Sequence, residues 1–130
     1  MADLVGIVLV SHSEQLACGL REVLRQVGTD RVPVEAAGGT DDGRIGTSYD
    51  RIRSAITRAN RGAGVLVLAD LGSAVLTART VLTDHPDSGA VLVDAPFVEA
   101  AVAAAVISGT GADLAAVTTA ATEARDARKL

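Results

Sequence analysis

Short aliphatic runs alternate with stretches of helical periodicity along the 130 residues of this chain. Leu4 to Val10 is a continuous aliphatic run of buried-strand length, and apolar residues between Leu16 and Val27 then recur at helical spacing until Gly28. The same alternation continues along the chain. It predicts further strands at 33–37, 65–69 and 90–93, and further helices that begin near Tyr49, Ser73 and Phe97, the last interrupted at 109–111.

This order of elements predicts an α/β fold. Strands that are apolar at every position are typical of a parallel sheet covered on both faces, and the alternating helices supply that cover. We therefore predict a doubly wound, mainly parallel four-stranded sheet with helices on both faces, built as one domain from residues 1–130. In such folds ligands bind beyond the carboxyl ends of the strands, so the segments that follow the strands are the candidate sites.

Composition narrows the range of functions. Hydrophobic residues make up 48% of the chain but include one Phe, one Tyr and no Trp, so the core is expected to be aliphatic. The formal charge is −4 and the basic residues are scattered, which argues against nucleic acid as a partner. The longest apolar stretch, 100–107, is too short to span a bilayer, and residues 1–4 have no basic region, so we expect no signal peptide. We expect a cytoplasmic protein with no membrane contact.

Cysteine and histidine are scarce in this chain. Cys18 lies among apolar residues of the first helix and is expected to be a small buried side chain, and one thiol cannot form an internal disulfide. The two histidines, His12 and His85, are far apart in sequence, so we predict neither a metal site nor a bound cofactor. His85 falls in a polar turn, 84–87, and is expected to be a solvent-exposed loop residue.

His12 is the strongest candidate for chemistry. It follows the first strand, lies between the hydroxyls of Ser11 and Ser13, and precedes a helix, a position that suits phosphate. A neutral imidazole accepts a phosphoryl group when one ring nitrogen is free and a carboxylate holds the other. Asp70 ends the third strand, which lies beside the first in a doubly wound sheet, and is the candidate carboxylate. The alternative is a structural histidine at a helix start with Asp70 as a helix cap, and spacing alone does not separate the two.

Two further segments supply candidate phosphate ligands at the same edge of the sheet. The loop 38–48 is rich in glycine, which permits positive φ and close approach of backbone N–H groups to an anion. Its alternative is a tight connection in which Thr47 begins a capping box with Asp50. Ser73, at the start of the third helix, could be a phosphate ligand or an ordinary N-cap, and the two roles are compatible. The candidate phosphate-binding residues are Ser11, Ser13, Gly38, Gly39, Thr47, Ser48, Gly72 and Ser73.

Three motifs, taken together in this order, resemble a known family. They are Leu9-Val10-Ser11-His12-Ser13, Gly38-Gly39-Thr40-x-x-Gly43-x-Ile45-Gly46-Thr47-Ser48 and Asp70-Leu71-Gly72-Ser73-Ala74. They are similar to motifs of the phosphotransfer subunits (DhaM) of dihydroxyacetone kinases that depend on the phosphotransferase system (PTS). That family has the fold of the mannose-type IIA proteins. The resemblance covers essentially the whole chain, and the ordered set is more specific than any one motif.

The resemblance implies a phosphotransferase subunit that works through a phosphohistidine. His12 would take a phosphoryl group from the phosphocarrier HPr, with Asp70 orienting the ring, and pass it to ADP held on the nucleotide-binding subunit of the kinase. Some relatives add HPr-like and enzyme-I-like domains, for which 130 residues leave no room, so we expect a separate donor. Mannose-type relatives also exchange a C-terminal antiparallel strand. The Ala-rich helix predicted here argues against that exchange and leaves a helix-packed homodimer as the expectation.

Two other functions remain open on sequence alone. The chain could be a IIA component of a mannose-type PTS sugar transporter, which would share the phosphohistidine but pass phosphate to a different acceptor. It could also be a non-catalytic doubly wound binding module that never carries phosphate on histidine. A receiver-like module of that kind is disfavoured, because no Asp-Asp pair follows the first strand.

Overall fold

The structure, a computed structural model, describes residues 3–130. Strands and helices alternate along the chain as far as the fourth strand, and two helices and a short turn follow it. In chain order the elements are β1 (Gly6–Ser11), α1 (Glu14–Val27), β2 (Val34–Gly38), α2 (Tyr49–Ala59), β3 (Val65–Ala69), α3 (Gly72–Asp84), β4 (Ala90–Leu92), α4 (Phe97–Gly109), α5 (Leu114–Glu123) and a 3-10 turn (Ala124–Asp126).

The four strands form one parallel sheet in the order β2-β1-β3-β4. After β1 the chain adds β2 on one side and then returns to add β3 on the other, so the winding reverses between β1 and β3. A doubly wound sheet binds ligands in the crevice beyond such a reversal point. The predicted α/β class is confirmed, and every strand pair in residues 3–130 is parallel.

Alternate side chains of the central strands divide the core into two layers. Ile7 and Leu9 pack in the layer that includes residues of α1, α4 and α5, whereas Val8 and Val10 pack in the layer that includes residues of α2 and α3. All four side chains are fully buried. Helices on both faces of the sheet therefore explain why these strands are apolar at every position.

The boundaries of some elements differ from the sequence prediction by one or two residues. Leu4 and Val5 are buried but precede β1, because a side chain can join the core without its backbone joining the sheet. Pro96 is the N-cap of α4, which begins at Phe97. In the charged C-terminal segment, Nε of Arg125 donates to the backbone oxygen of Asp94 at 2.6 Å and ties that segment to the residues before α4.

Helix α1 buries a narrower stripe than its apolar spacing suggests. Leu16, Val23 and Val27 remain between 42% and 48% exposed, although they recur at helical spacing with the buried positions. Cys18, expected to be buried, is half-buried. The residues of α1 that are buried against the sheet and α4 are Ala17, Leu20 and Leu24.

None of the helices formed by residues 3–130 combines the length and apolarity needed to cross a membrane. The same residues contain no group of three or more His, Cys, Asp or Glu side chains that could hold a metal ion. The site described next is therefore built from hydrogen-bonding side chains and helix ends.

Candidate active site

Ser11, His12 and Asp70 come together in the crevice between β1 and β3. Ser11 is the last residue of β1, and Asp70 directly follows β3. The backbone N–H of Asp70 donates to the carbonyl of Val10 at 3.1 Å, which extends the strand pairing by one residue. This pairing brings Nδ1 of His12 to 3.1 Å from Oδ1 of Asp70, so the carboxylate expected to hold the ring lies within hydrogen-bond distance of it.

Asp70 accepts four hydrogen bonds, two on each carboxylate oxygen. Oδ1 accepts from the His12 ring and from the N–H of Leu71 at 2.7 Å. Oδ2 accepts from the hydroxyl of Ser11 at 2.7 Å and from the backbone N–H of His12 at 3.3 Å. Burial raises the pKa of Asp70, but these donors outweigh burial and hold its pKa below the ordinary value.

An ionised Asp70 fixes the tautomer of the His12 ring. A carboxylate only accepts hydrogen bonds, so Nδ1 must carry the proton, which leaves Nε2 of the neutral ring with a free lone pair. Nε2 contacts the hydroxyl of Ser73, which is then the donor in that contact. The His12 side chain is 19% exposed, and the contact of its Nε2 with Ser73 lies at the exposed side of the site, whereas Nδ1 and Asp70 are partly buried.

The first turn of α3 lies beside Nε2. Leu71, and not Ser73, occupies the N-cap position, so the hydroxyl of Ser73 is not used for capping. Space is open where a Cβ of Gly72 would lie. The backbone N–H groups of a first helical turn and the helix dipole favour negative charge, so an anion on Nε2 would lie in a favourable field.

The hydroxyls of Ser11 and Ser13 have protein partners. Ser11 is fully buried, donates to Asp70 and accepts from the N–H of Ser13 at 3.0 Å. Ser13 is the N-cap of α1, and its Oγ accepts from the N–H of Leu16 at 3.2 Å. The hydroxyls on both sides of His12 are therefore engaged within the protein.

The glycine-rich loop 38–48 is hydrogen-bonded to the backbone of the histidine segment. The N–H of Gly39 donates to the carbonyl of Ser11 at 3.2 Å, and the N–H of Gly46 donates to the carbonyl of His12 at 2.9 Å. Gly39 has φ +74° and Gly46 has φ +143°, conformations that side chains other than glycine rarely adopt. These two N–H groups thus bind protein carbonyls in this structure.

Gly38 permits a close contact of a different kind. A Cβ at this position would lie 2.5 Å from the carbonyl oxygen of Ser13 and 2.7 Å from Cα of Glu14. Both are backbone atoms that cannot move aside without shifting the start of α1. Gly38 therefore lets β2 pass directly beneath the helix that follows His12.

Thr47 and Ser48 have their hydroxyls engaged elsewhere. Ser48 is the N-cap of α2, where its Oγ accepts from the N–H of Arg51 at 3.2 Å and donates to Asp41 at 2.5 Å. The alternative of a capping box from Thr47 to Asp50 is therefore wrong, because the N-cap is Ser48 and the residue three positions on is Arg51. Thr47 lies 2.8 Å, oxygen to oxygen, from the hydroxyl of Thr77 on α3. Of the predicted phosphate ligands, Ser73 is the one whose side chain contacts the His12 ring.

Sequence analysis missed Arg51. Its Nη1 donates to the carbonyl of Gly38 at 2.9 Å, and its guanidinium lies within 3.7 Å of the carboxylates of Glu14 and Asp41. The side chain thus joins α2, the glycine-rich loop and the start of α1. A signal was available in the sequence, because Arg51 lies in the first turn of α2. A cation is unfavourable at the positive end of the helix dipole, so a nearby acceptor or carboxylate is expected to compensate its charge.

His85 lies at the other end of α3 and is not an isolated solvent-exposed side chain. It is half-buried, and its backbone N–H caps α3 by donating to the carbonyl of Val81. The hydroxyl of Tyr49 lies 3.1 Å from its Nε2 and also donates to Asp84 at 2.8 Å. His85 therefore lies in the predicted turn, but it is partly buried and contacts Tyr49, so it is less solvated than expected.

Comparisons with known proteins identify the family of this chain. The family model described as "PTS system fructose IIA component" matches residues 6–118, most of the chain. The chain belongs to this family. Two solved structures share its fold. A crystal structure of a protein of unknown function, EF1359, is 33% identical with a TM-score of 0.81 and covers 92% of this chain and 93% of that one. The PTS component EIIA from Streptococcus agalactiae has a TM-score of 0.69 at 17% identity over 95% and 93% of the two chains, a likeness of fold alone.

The curated relatives of this IIA-family chain carry a consistent name. One is the phosphoryl donor subunit DhaM of PEP-dependent dihydroxyacetone kinase 1 from Listeria innocua, 39% identical over 81% of this chain and 82% of that protein. The phosphotransferase subunit DhaM of Lactococcus lactis is 36% identical over 86% and 89% of the two chains. DhaM of Escherichia coli is 38% identical over 85% of this chain, but the match covers 25% of that longer protein.

Proposed function

We propose that this chain is the phosphoryl donor subunit of a PTS-dependent dihydroxyacetone kinase and carries the phosphoryl group on His12. The observation that carries the proposal is the His12 ring itself. Its Nδ1 is 3.1 Å from an ionised carboxylate, and its Nε2 is accessible beside the first turn of α3. The DhaM relatives that match most of this chain support the same function.

The first transfer forms a P–N bond at Nε2. The lone pair of Nε2 attacks phosphorus while the bond from phosphorus to the donor breaks, and that electron pair leaves with the donor. The ring becomes cationic because Nδ1 keeps its proton, and Asp70 stabilises that charge through the hydrogen bond already present. In the second transfer an oxygen of the terminal phosphate of ADP attacks phosphorus and forms a P–O bond, the P–N bond breaks, its electrons return to Nε2, and the ring is neutral again.

Ser73 and the start of α3 are proposed to bind the phosphoryl oxygens. A phosphorylated Nε2 can no longer accept from the Ser73 hydroxyl, which is then adjacent to strong acceptors on phosphorus. The open space at Gly72 leaves room for the group. The hydroxyls of the other predicted phosphate ligands and the N–H of Gly39 have protein partners before phosphorylation, so we do not propose them as ligands of the phosphoryl oxygens.

The proposed partners are HPr as phosphoryl donor and the nucleotide-binding kinase subunit, with ADP, as acceptor. Both must approach Nε2 from solvent. Leu71 follows Asp70 directly and is 60% exposed, and Ile45 precedes Gly46 and is 75% exposed. Large apolar side chains exposed beside a site favour protein docking there. We also propose that residues 1–130 act as one domain, in the cytoplasm and as a homodimer.

Leu71→Ser is expected to weaken docking while leaving the protein more stable. Loss of a leucine that is buried in the complex costs about 1.5 kcal/mol, so the KM for phosphorylated HPr should rise roughly tenfold with kcat unchanged. Leu71 is an N-cap without a side-chain hydrogen bond, and serine is a preferred N-cap, so the Tm should rise slightly. Steady-state kinetics and a thermal melt measure the two effects.

Val27→Ser is the matched control for Leu71. Val27 is 48% exposed and ends α1, which runs for 14 residues from the active-site edge, about 20 Å away. The Val27→Ser variant should leave the KM for phosphorylated HPr unchanged. An equal rise in KM for both variants, or no rise for Leu71→Ser, would contradict docking through Leu71.

Gly39→Val is expected to slow phosphorylation more than Gly43→Val does. Both glycines have positive φ, +74° and +83°, so each variant should lose about 1–3 kcal/mol of stability from backbone strain. A Cβ at Gly43 meets nothing within 4 Å, whereas at Gly39 it lies 3.1 Å from the carbonyl oxygen of Arg44. Only Gly39 is hydrogen-bonded to the carbonyl of Ser11, so only its displacement moves the histidine segment. Equal rates of HPr-dependent phosphorylation in the two variants would refute this role.

The deciding experiment is stepwise transfer with purified components. The chain is incubated with enzyme I, HPr and phosphoenolpyruvate, and intact-mass analysis should show one added phosphoryl group. The phosphorylated chain is then mixed with the kinase subunits, ADP and dihydroxyacetone, and should lose the group as dihydroxyacetone phosphate forms. Absence of any added phosphoryl group would favour a non-catalytic binding module.

A IIA component of a sugar transporter is the second candidate function. It is favoured by the description of the matching family model, which names a fructose IIA component. Both candidates predict phosphorylation of His12 by HPr, so the acceptor distinguishes them. Transfer to a transporter IIB component, with none to the kinase subunits, would establish the transporter function in place of the kinase function.

A further inference from the structure

The serine before His12 is used by neither transfer step proposed above. Ser11 is 0% exposed, so its hydroxyl cannot meet a phosphoryl group that arrives from solvent. The hydroxyl instead has two protein partners. It donates to Oδ2 of Asp70 at 2.7 Å and accepts from the N–H of Ser13 at 3.0 Å.

We infer that Ser11 is a positioning residue that holds the Asp70 carboxylate in the orientation that fixes the tautomer of His12. The inference rests on the proposed function of His12 and concerns the same site. Ser11 acts through Asp70 and does not touch the phosphoryl group or its donor.

The hydrogen bonds of Asp70 explain why one hydroxyl has this effect. An aspartate carboxylate turns easily about its last side-chain bond, so it needs donors on both oxygens to stay in one orientation. On Oδ2 these donors are the Ser11 hydroxyl at 2.7 Å and the backbone N–H of His12 at 3.3 Å. Without Ser11, the longer bond alone would hold that oxygen.

The direction of the Ser11 hydroxyl is itself fixed. Because Oγ accepts the N–H of Ser13, one of its lone pairs is occupied and its hydrogen is free to point to Asp70. Ser13 in turn is the N-cap of α1. The start of α1 thus fixes the direction of the Ser11 hydroxyl, and this hydroxyl orients the Asp70 carboxylate. The carboxylate in turn fixes the tautomer of the His12 ring.

The test compares Ser11→Ala with Ser108→Ala. Ser108 is a second fully buried serine, and its Oγ donates to the carbonyl of Val5 at 2.6 Å, before β1 begins. Each variant removes one buried hydroxyl, which makes two hydrogen bonds at Ser11 and one at Ser108, so both variants should lose stability. Only Ser11→Ala removes a hydrogen bond from Asp70, which makes Ser108→Ala a control for a purely structural effect.

Two measurements are made on each variant and on the wild type. ¹⁵N chemical shifts of the unphosphorylated His12 ring report which nitrogen carries the proton, and rapid quenching reports the rate of phosphorylation by HPr. In Ser11→Ala we expect the Nδ1–H tautomer to lose population and the rate to fall about tenfold, the low end for losing a group that orients a reactive histidine. In Ser108→Ala we expect the wild-type tautomer and rate.

Wild-type tautomer populations in Ser11→Ala would overturn the inference, as would an equal fall in rate in both variants. Failure of the proposed function has a different signature, because the wild type itself would then take no phosphoryl group from HPr. The tautomer measurement needs no phosphorylation, so it tests Ser11 even in that case.

Discussion

Replacing His12 with alanine should abolish HPr-dependent phosphorylation of this chain and leave it folded. No phosphoryl group should be detectable by intact mass or by label from phosphoenolpyruvate, because the variant lacks the free imidazole lone pair beside α3. The ring is partly exposed and lies outside both core clusters, so its loss should lower the Tm by only a few degrees.

His85→Ala is the matched control for His12→Ala. His85 can be satisfied by Tyr49 and caps the far end of α3, with no carboxylate hydrogen-bonded to its ring among the described residues. The variant should be labelled at the wild-type rate. Labelling of His12→Ala at the wild-type level would remove His12 from the mechanism, and loss of label in His85→Ala instead would move the phosphohistidine to that residue.

The sequence pattern was sufficient to predict the sheet and the place of the site. Fully apolar runs indicate strands buried on both faces, and the order of elements puts the ends of β1 and β3 side by side. That is why His12 and Asp70 could be paired without coordinates, although they are 58 residues apart. The start of β1 was predicted two residues too early. Leu4 and Val5 are buried, and an apolar sequence does not show whether the backbone of a buried residue joins the sheet.

The partners of individual polar groups could not be predicted in the same way. The glycine content of loop 38–48 indicates that its backbone can closely approach another group. It does not indicate that the N–H groups of Gly39 and Gly46 donate to the carbonyls of Ser11 and His12. For Ser11, however, the sequence did contain a signal that its side chain would be buried. Side chains two residues apart on a strand share a face, so Ser11 shares the face of the fully buried Leu9, which predicts burial of its hydroxyl.

Asp70→Asn should retain the fold and slow phosphorylation by roughly a hundredfold. An amide presents one acceptor oxygen where the carboxylate presents two, so its NH₂ group must face donors that Asp70 now satisfies. The neutral amide also cannot stabilise the cationic ring that forms on phosphorylation. The rate of phosphate transfer from HPr and the position of the phosphate by ¹⁵N NMR are the measurements.

Asp84→Asn is the matched control for Asp70→Asn. Asp84 is a carboxylate at the other end of α3 that accepts from Tyr49 at 2.8 Å, so it also loses charge and changes a hydrogen bond, but away from His12. The transfer rate of Asp84→Asn should be that of the wild type.

The pH dependence of stability gives a second comparison. Because the pKa of Asp70 is lowered in the folded chain, its ionised form stabilises the fold at pH values above the ordinary carboxyl pKa. This contribution is lost as the pH falls through the lowered pKa. The difference in unfolding free energy between the wild type and Asp70→Asn should therefore narrow as the solution is acidified. A wild-type transfer rate in Asp70→Asn, or a phosphate found on Nδ1 in the wild type, would show that this carboxylate does not direct the chemistry to Nε2.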